Sequence, residues 1–171
     1  MSGKAIGISM NYGFSGTYAR TPDDIVTSRQ LKEGSAPVPF GAALMANSDN
    51  TYSPVDSTFT PSKFGGVALR IVKQAVSYSE QNATAYQPLD LVSALNRGAV
   101  VVNCNHGTPT AGGDVYIRIK ENSAIVGGVV GGFEAEADGE NTVKVPNCQW
   151  TNGYVDANGV AEITILTRAN A

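Results

Sequence analysis

Val115-Tyr116-Ile117-Arg118-Ile119-Lys120 alternates strictly, with Val115, Ile117 and Ile119 on one side and Tyr116, Arg118 and Lys120 on the other. Side chains of a strand point to opposite faces in turn, so this stretch predicts three apolar residues against a core and three polar ones in water. Outward from it, short β-branched runs recur at residues 67–72, 92–95, 99–104, 124–130, 133–137, 142–145 and 160–166, with an apolar run at 38–45 behind Pro37 and Pro39. Nineteen glycines and eight prolines punctuate the runs. Asn96-Arg97-Gly98 reads as a tight connection between two of them, with Gly98 at a left-handed position. Asp156-Ala157-Asn158-Gly159 reads as the turn before the last. Short strands at spacings of about 8–12 residues predict a mainly β fold, a small barrel or sandwich.

Helical signals are few. Thr21-Pro22-Asp23-Asp24 has Thr at an N-cap, Pro at the first helical position and an acid at the third, which predicts a short helical turn. A second turn is possible around residues 83–95, opened by Pro88-Leu89-Asp90-Leu91. Neither extends into an amphipathic helix, so one or two turns are the most the chain allows. Residues 46–65 read as a polar excursion.

The stretch GFSGTYARTPDDIVTSRQLKEGSAPVPFGAALM, residues 13–45, has a different character. It is too rich in glycine and polar groups for a core and too rich in aromatics and arginine for a passive tail. Such side chains are enriched where protein surfaces dock. Residues 1–37 are therefore predicted to form an extended N-terminal arm and residues 38–171 the β body. Tyr12, Phe14, Tyr18, Arg20, Arg29 and Phe40 are the candidate interface residues.

Composition narrows the function classes. Charged residues make up 16% of the chain, below the usual figure of about a quarter, and the net charge is −3. No basic run is present, which argues against binding nucleic acid through phosphates. No stretch approaches the roughly 20 apolar residues of a membrane span, and no signal-peptide core precedes the body. A cytoplasmic site of synthesis and reduced Cys104 and Cys148 are the expectation.

Catalytic constellations are weak. His106 is the only histidine, and Cys104, His106 and Cys148 match no common zinc spacing. A Cys104 nucleophile with His106 as base needs more than strand alternation to support it. Asp23 and Asp24 are adjacent and are read as helix caps. Glu134 and Glu136 share a strand face that is read as solvated rather than as a calcium site. The pairs Gly127-Gly128 and Gly131-Gly132 lack the Lys-Ser or Lys-Thr of a phosphate loop and read as a bent or bulged strand. No enzyme activity, cofactor or metal is expected.

GFSGTYARTPDD, then PFGAALM (residues 39–45), VALRIVKQ (67–74), YQPLDLVSALNRGAVVVNC (86–104), AGGDVYIRIK (111–120) and VDANGVAEITIL (155–166), resembles the structural cement proteins that decorate tailed-phage heads. The likeness covers nearly the whole chain in order. In that family a G-x-P-G opens the arm, and here Ser15 stands where the proline would be. The resemblance implies a β-rich virion protein added to the outside of the icosahedral capsid where major capsid protein subunits meet, made in the host cytoplasm. It implies self-association, as a trimer at local threefold positions or alternatively as a dimer. Another virion component, such as a tail, baseplate or host-recognition subunit, would share the composition.

Overall fold

The computed structural model describes residues 11–71 and 84–167. Among them run eleven strands: β1 (Tyr18–Gln30), β2 (Val38–Pro39), β3 (Ala43–Ala46), β4 (Tyr52–Pro54), β5 (Phe64–Ala68), β6 (Ala85–Tyr86), β7 (Leu91–Asn103), β8 (Asp114–Arg118), β9 (Phe133–Glu134), β10 (Thr142–Trp150) and β11 (Val160–Ile165). Nine form one antiparallel sheet in the order β4-β3-β5-β7-β11-β10-β8-β9, with β1 added on β7, while β2 and β6 pair separately. The sheet curls into a half-barrel. A parallel bridge between Cys104 and Phe133 brings its β9 end back to the chain leaving β7, and another between Leu31 and Tyr52 ties the end of β1 to β4.

The 13-residue β7 organises everything. Leu95 lies between Val26 of β1 and Val67 of β5, and Val100 between Tyr18 of β1 and Ile163 of β11. Strand β1 therefore follows one edge of β7 while β5 and β11 succeed each other along the opposite edge. The join falls at Gly98, whose φ of 117° only glycine adopts comfortably. Asn96-Arg97-Gly98 is thus a bulge inside one strand, not the connection between two. β5 pairs on one side of it and β11 on the other, and β1 spans it on the far edge with shifts of register.

Alternation splits the interior into two cores. Ala43, Met45, Val67, Leu95, Val100 and Val102 join Val115, Ile117, Phe133, Trp150 and Ile163 in the larger. Leu44, Ala68, Val92 and Ala94, one residue out of phase, join Leu31, Val38, Phe40, Tyr52 and Tyr86 in the second. Both faces of β3, β5 and β7 are therefore covered, which explains why these strands read as continuous apolar runs.

Several expectations need correction. Thr21-Pro22-Asp23-Asp24 starts no helical turn, because it lies within β1. Thr21, Ile25, Val26 and Thr27 are β-branched, and pairing on β7 outweighs a lone capping signal. Asp23 and Asp24 accordingly cap nothing. Pro88-Leu89 forms a tight turn with Leu89 at φ 71°, and its N–H donates to the Leu31 carbonyl (3.0 Å). The run at 38–45 breaks into β2 and β3. That at 67–72 overlaps only the end of β5, and its last residue lies outside the described residues. The excursion at 46–65 contains β4, a 3-10 turn (Pro61–Lys63) and the core residues Val55, Phe59 and Phe64.

No strand forms at 124–130. The reason is Arg118. It keeps its expected phase on β8, yet its guanidinium is fully buried with Glu134, because the segment after β8 folds over that face. Nε and Nη2 donate to the two Glu134 oxygens at 2.5 and 2.9 Å, and Nη1 to Asp138 at 2.8 Å. A Cβ at Gly128 would stand 2.6 Å from Nε, so the glycine-rich loop packs its bare backbone on a buried arginine instead of bending as a strand. Glu134 likewise leaves the solvated face expected for it.

Candidate functional site

The N-terminal stretch is fastened to the body before β1 begins. Gly16 donates its N–H to Val101 O (2.7 Å) and accepts from Arg70 N (2.8 Å), so the backbone runs wedged between β7 and the end of β5. A side chain at Gly16 would meet Gly41 N at 2.8 Å, and its φ is 87°, which leaves glycine as the residue that fits. Ser15 places its hydroxyl to accept from Asn103 N (3.2 Å). This bond ties the turn to the end of β7.

Tyr12 and Arg20 are tied down by their own chain. Asn152 Nδ2 donates to the Tyr12 hydroxyl (3.0 Å), and Tyr12 N donates to Asp156 (2.9 Å). The Tyr12 and Tyr154 rings lie 6.0 Å apart. Arg20 forks onto Glu162 at 2.6 and 3.3 Å, which raises the guanidinium pKa through that hydrogen bond and the carboxylate charge. Asp156 sits in the turn before β11. Burial opposes its ionisation, but N–H donors from Val160, Asn158 and Tyr12 together hold its carboxyl below the ordinary range.

Phe14 and Tyr18 face outward, at 66% and 45% exposure. The Arg70 guanidinium lies 4.5 Å from the Phe14 ring centroid and 5.8 Å from that of Phe40, within cation–π range of both. Beside this stack opens a groove of about 440 Å³ lined by Gly13, Ser15, Thr84, Asn103 and Asn158. It continues past Ser15, Phe40 and Asn103 toward Gly131 and Val129. Phe40 itself is the floor. It is buried in the second core, edge-on to Tyr86 at 5.2 Å. Arg29 lies apart, over the Tyr52 ring at 5.3 Å.

Of the six candidates, the structure brings Phe14 and Phe40 together through Arg70. Tyr12 and Arg20 gather about the β11 end, and Arg29 stands alone. Sequence reasoning passed over Arg70, Asn103 and Asn158. Arg70 directly follows an apolar strand, and an arginine at a core strand's end was the available signal.

Cys104 and His106 do not form a nucleophile and base. The Cys104 thiol points at the carbonyls of His106 and Gly107 (3.6 and 3.7 Å), and burial raises its pKa. His106 Nδ1 is buried without a partner among the described residues. Cys148 is a free thiol in the larger core, its pKa driven up by burial. Among the described residues no three His, Cys, Asp or Glu side chains are grouped as metal ligands.

A family model described as XM1 gp53 minor capsid protein matches residues 3–165. The chain belongs to that family. The protein is thus a phage capsid-associated protein of the virion, consistent with the tailed-phage resemblance in its sequence. Among solved structures, a chain of "The capsid of Myoviridae Phage XM1" superposes with a TM-score of 0.68 at 14% identity, covering 96% of this chain and 98% of that one. At that identity the likeness establishes the shared fold. No curated protein sequence matches.

Proposed function

We propose that this minor capsid protein is a cement protein, seated on the outer surface of the head where major capsid protein subunits meet. The observation that carries the reading is the Phe14–Arg70 stack at the mouth of the groove. An arginine without an ion pair among the described residues lies between two aromatic rings, next to a furrow edged by asparagines and a serine. Aromatic and Arg anchors beside a polar rim are the make-up of a docking hot spot. Arg offers a planar fork for carboxylates, so an acidic loop of the capsid subunit is the ligand it fits. Tyr18, exposed at the start of β1, is a further candidate contact. The minor-capsid family favours this over a tail or baseplate role.

Purified heads exposed to Phe14→Ala and Arg70→Glu variants test it. Both should fold normally and lose occupancy, by at least the order of 2 kcal/mol per hot-spot residue, roughly thirtyfold in Kd. An electron cryo-microscopy map should show the chain outside the shell with Phe14 facing a capsid subunit. Density inside the shell, on the tail, or with this groove facing solvent would overturn the reading.

A further inference from the structure

From Val26 to Arg29, strand β1 has a second edge that no strand pairs with among the described residues. Leu69 N donates to Ser93 O, so Ser93 turns toward β5, and the flanking Val92 and Ala94 turn their backbone groups toward Arg29 and Thr27 of β1. Val26 and Ser28 therefore aim their N–H and C=O groups away from β7, while the Gln30 end is taken up by the bridge from Leu31 to Tyr52. No backbone bond meets those of Val26 and Ser28 among the described residues. Both are exposed, including the apolar Val26. A free edge of this kind is a template for another strand.

We propose that two copies of the chain pair antiparallel through β1 about a two-fold axis at Val26. The sequence around that residue is self-complementary. An axis perpendicular to the sheet sets one residue against its own copy. Centred on Val26, it sets Ile25 against Thr27 and brings Asp23 and Asp24, in the bulged stretch of β1 between Arg20 and Ile25, to the Ser28–Arg29 end of the other copy. Each Asp23–Arg29 pair occurs twice, and the two valines meet at the axis. Cross-strand charges of unlike sign are stabilising. The bulged stretch before Ile25, which includes Pro22 without an N–H, ends the ladder at both ends. Centring on Asp24 would oppose two carboxylates. Centring on Ser28 would put Val26 against Gln30 and draw Asp24 to Lys32, past the end of β1 where Lys32 N already donates to Tyr52 O.

Both charged partners are prepared for this. Arg29 is held at the strand by Tyr52 beneath its guanidinium. Asp23 uses one oxygen on Arg97 (3.0 Å) and is three-quarters exposed, leaving the other oxygen free among the described residues. A pair of this kind is isologous and closed, so it forms a dimer and not a growing fibre. The arrangement selects the two-fold over the threefold alternative.

Site-specific cross-linking of the full-length protein tests the register. Across a hydrogen-bonded pair the Cα atoms stand about 5.5 Å apart, inside disulfide range. Val26→Cys should oxidise to a covalent dimer several-fold faster than Ser28→Cys, with the parent protein as the blank for Cys104 and Cys148. Sedimentation should show Asp23→Arg and Arg29→Asp each weakening the dimer, and the double exchange restoring it, with circular dichroism unchanged. Equal cross-linking of the two cysteine variants, or a charge exchange that fails to rescue, would overturn the pairing. That result would leave capsid binding through the groove intact, since the two surfaces are tested separately.

Discussion

At the residue scale the most consequential side chain is Arg118, which no charge pattern in the sequence would place in the interior. The alternation correctly assigned its phase on β8, but alternation reports which face a residue is on and not whether a later loop covers it. Arg118 and Glu134 are both fully buried and joined by two hydrogen bonds, with Asp138 and Asn122 extending the network. Removing one partner leaves a bare charge out of water. Arg118→Met should lower unfolding free energy by about 3–5 kcal/mol, whereas Arg118→Met with Glu134→Leu should recover much of that loss, because the desolvation penalty disappears with both charges. Urea unfolding of the two variants measures the difference. Asp156 supplies a pH prediction. Its folded pKa lies below the unfolded value of about 3.9, so its contribution is complete above that value and fades as pH falls through the lower folded one. Exchange protection at Tyr12 N should fall over that acid window, and Asp156→Asn should abolish the pH dependence. Unaltered dependence in the variant would assign the transition to another carboxylate.

At the element scale, β1 and β7 together were the part least legible in the sequence. The β class, the β8 and β11 runs and the turn at Asp156–Gly159 follow from local pattern alone, since each of the two runs is a short alternation that starts directly after a glycine. The β7 bulge is different. Asn96-Arg97-Gly98 has the composition of a hairpin turn, and only the strands on both sides, distant in sequence, hold it extended. The site was legible in kind but incompletely in detail. The aromatics and arginines of the N-terminal stretch announced a sticky segment, yet Arg70 lies far from it in sequence and meets Phe14 only through the fold. Gly98 probes the junction directly. A Cβ there would meet Asp23 O at 2.7 Å at a φ of 117°. Gly98→Ala should destabilise by roughly 1–3 kcal/mol and loosen β1 specifically, seen as faster amide exchange in residues 18–26 than in β11. For the same reason a chain begun at Val38 should aggregate instead of leaving a tidy body. It lacks the fully buried Leu31 and strips a 13-residue partner from the edge of β7.

At the scale of the whole molecule, the two proposed surfaces divide the work of the N-terminal stretch. The groove mouth at Phe14 and Arg70 would face the capsid, and the free edge of β1 would face a sister copy. The two make different demands on concentration. A chain bound only through its groove stabilises the shell by simple linkage, about 2.7 kcal/mol per site when free protein is a hundredfold above Kd. A pair joined at β1 binds twice, and its second contact is made at the effective concentration set by the lattice. Breaking the pair with Arg29→Asp should therefore lower occupancy at limiting protein yet reach full occupancy when protein is in excess. Phe14→Ala, which weakens each contact, should shift the whole binding curve while keeping its paired character. Titrating stripped heads with each variant and challenging the particles with heat separates the cases. Heads saturated with Arg29→Asp should resist heat less well than those carrying the parent protein at equal occupancy, because adjacent capsid subunits are no longer tied through a bridging pair. Equal heat resistance at equal occupancy would show that each copy reinforces the shell alone and that β1 contributes nothing mechanical.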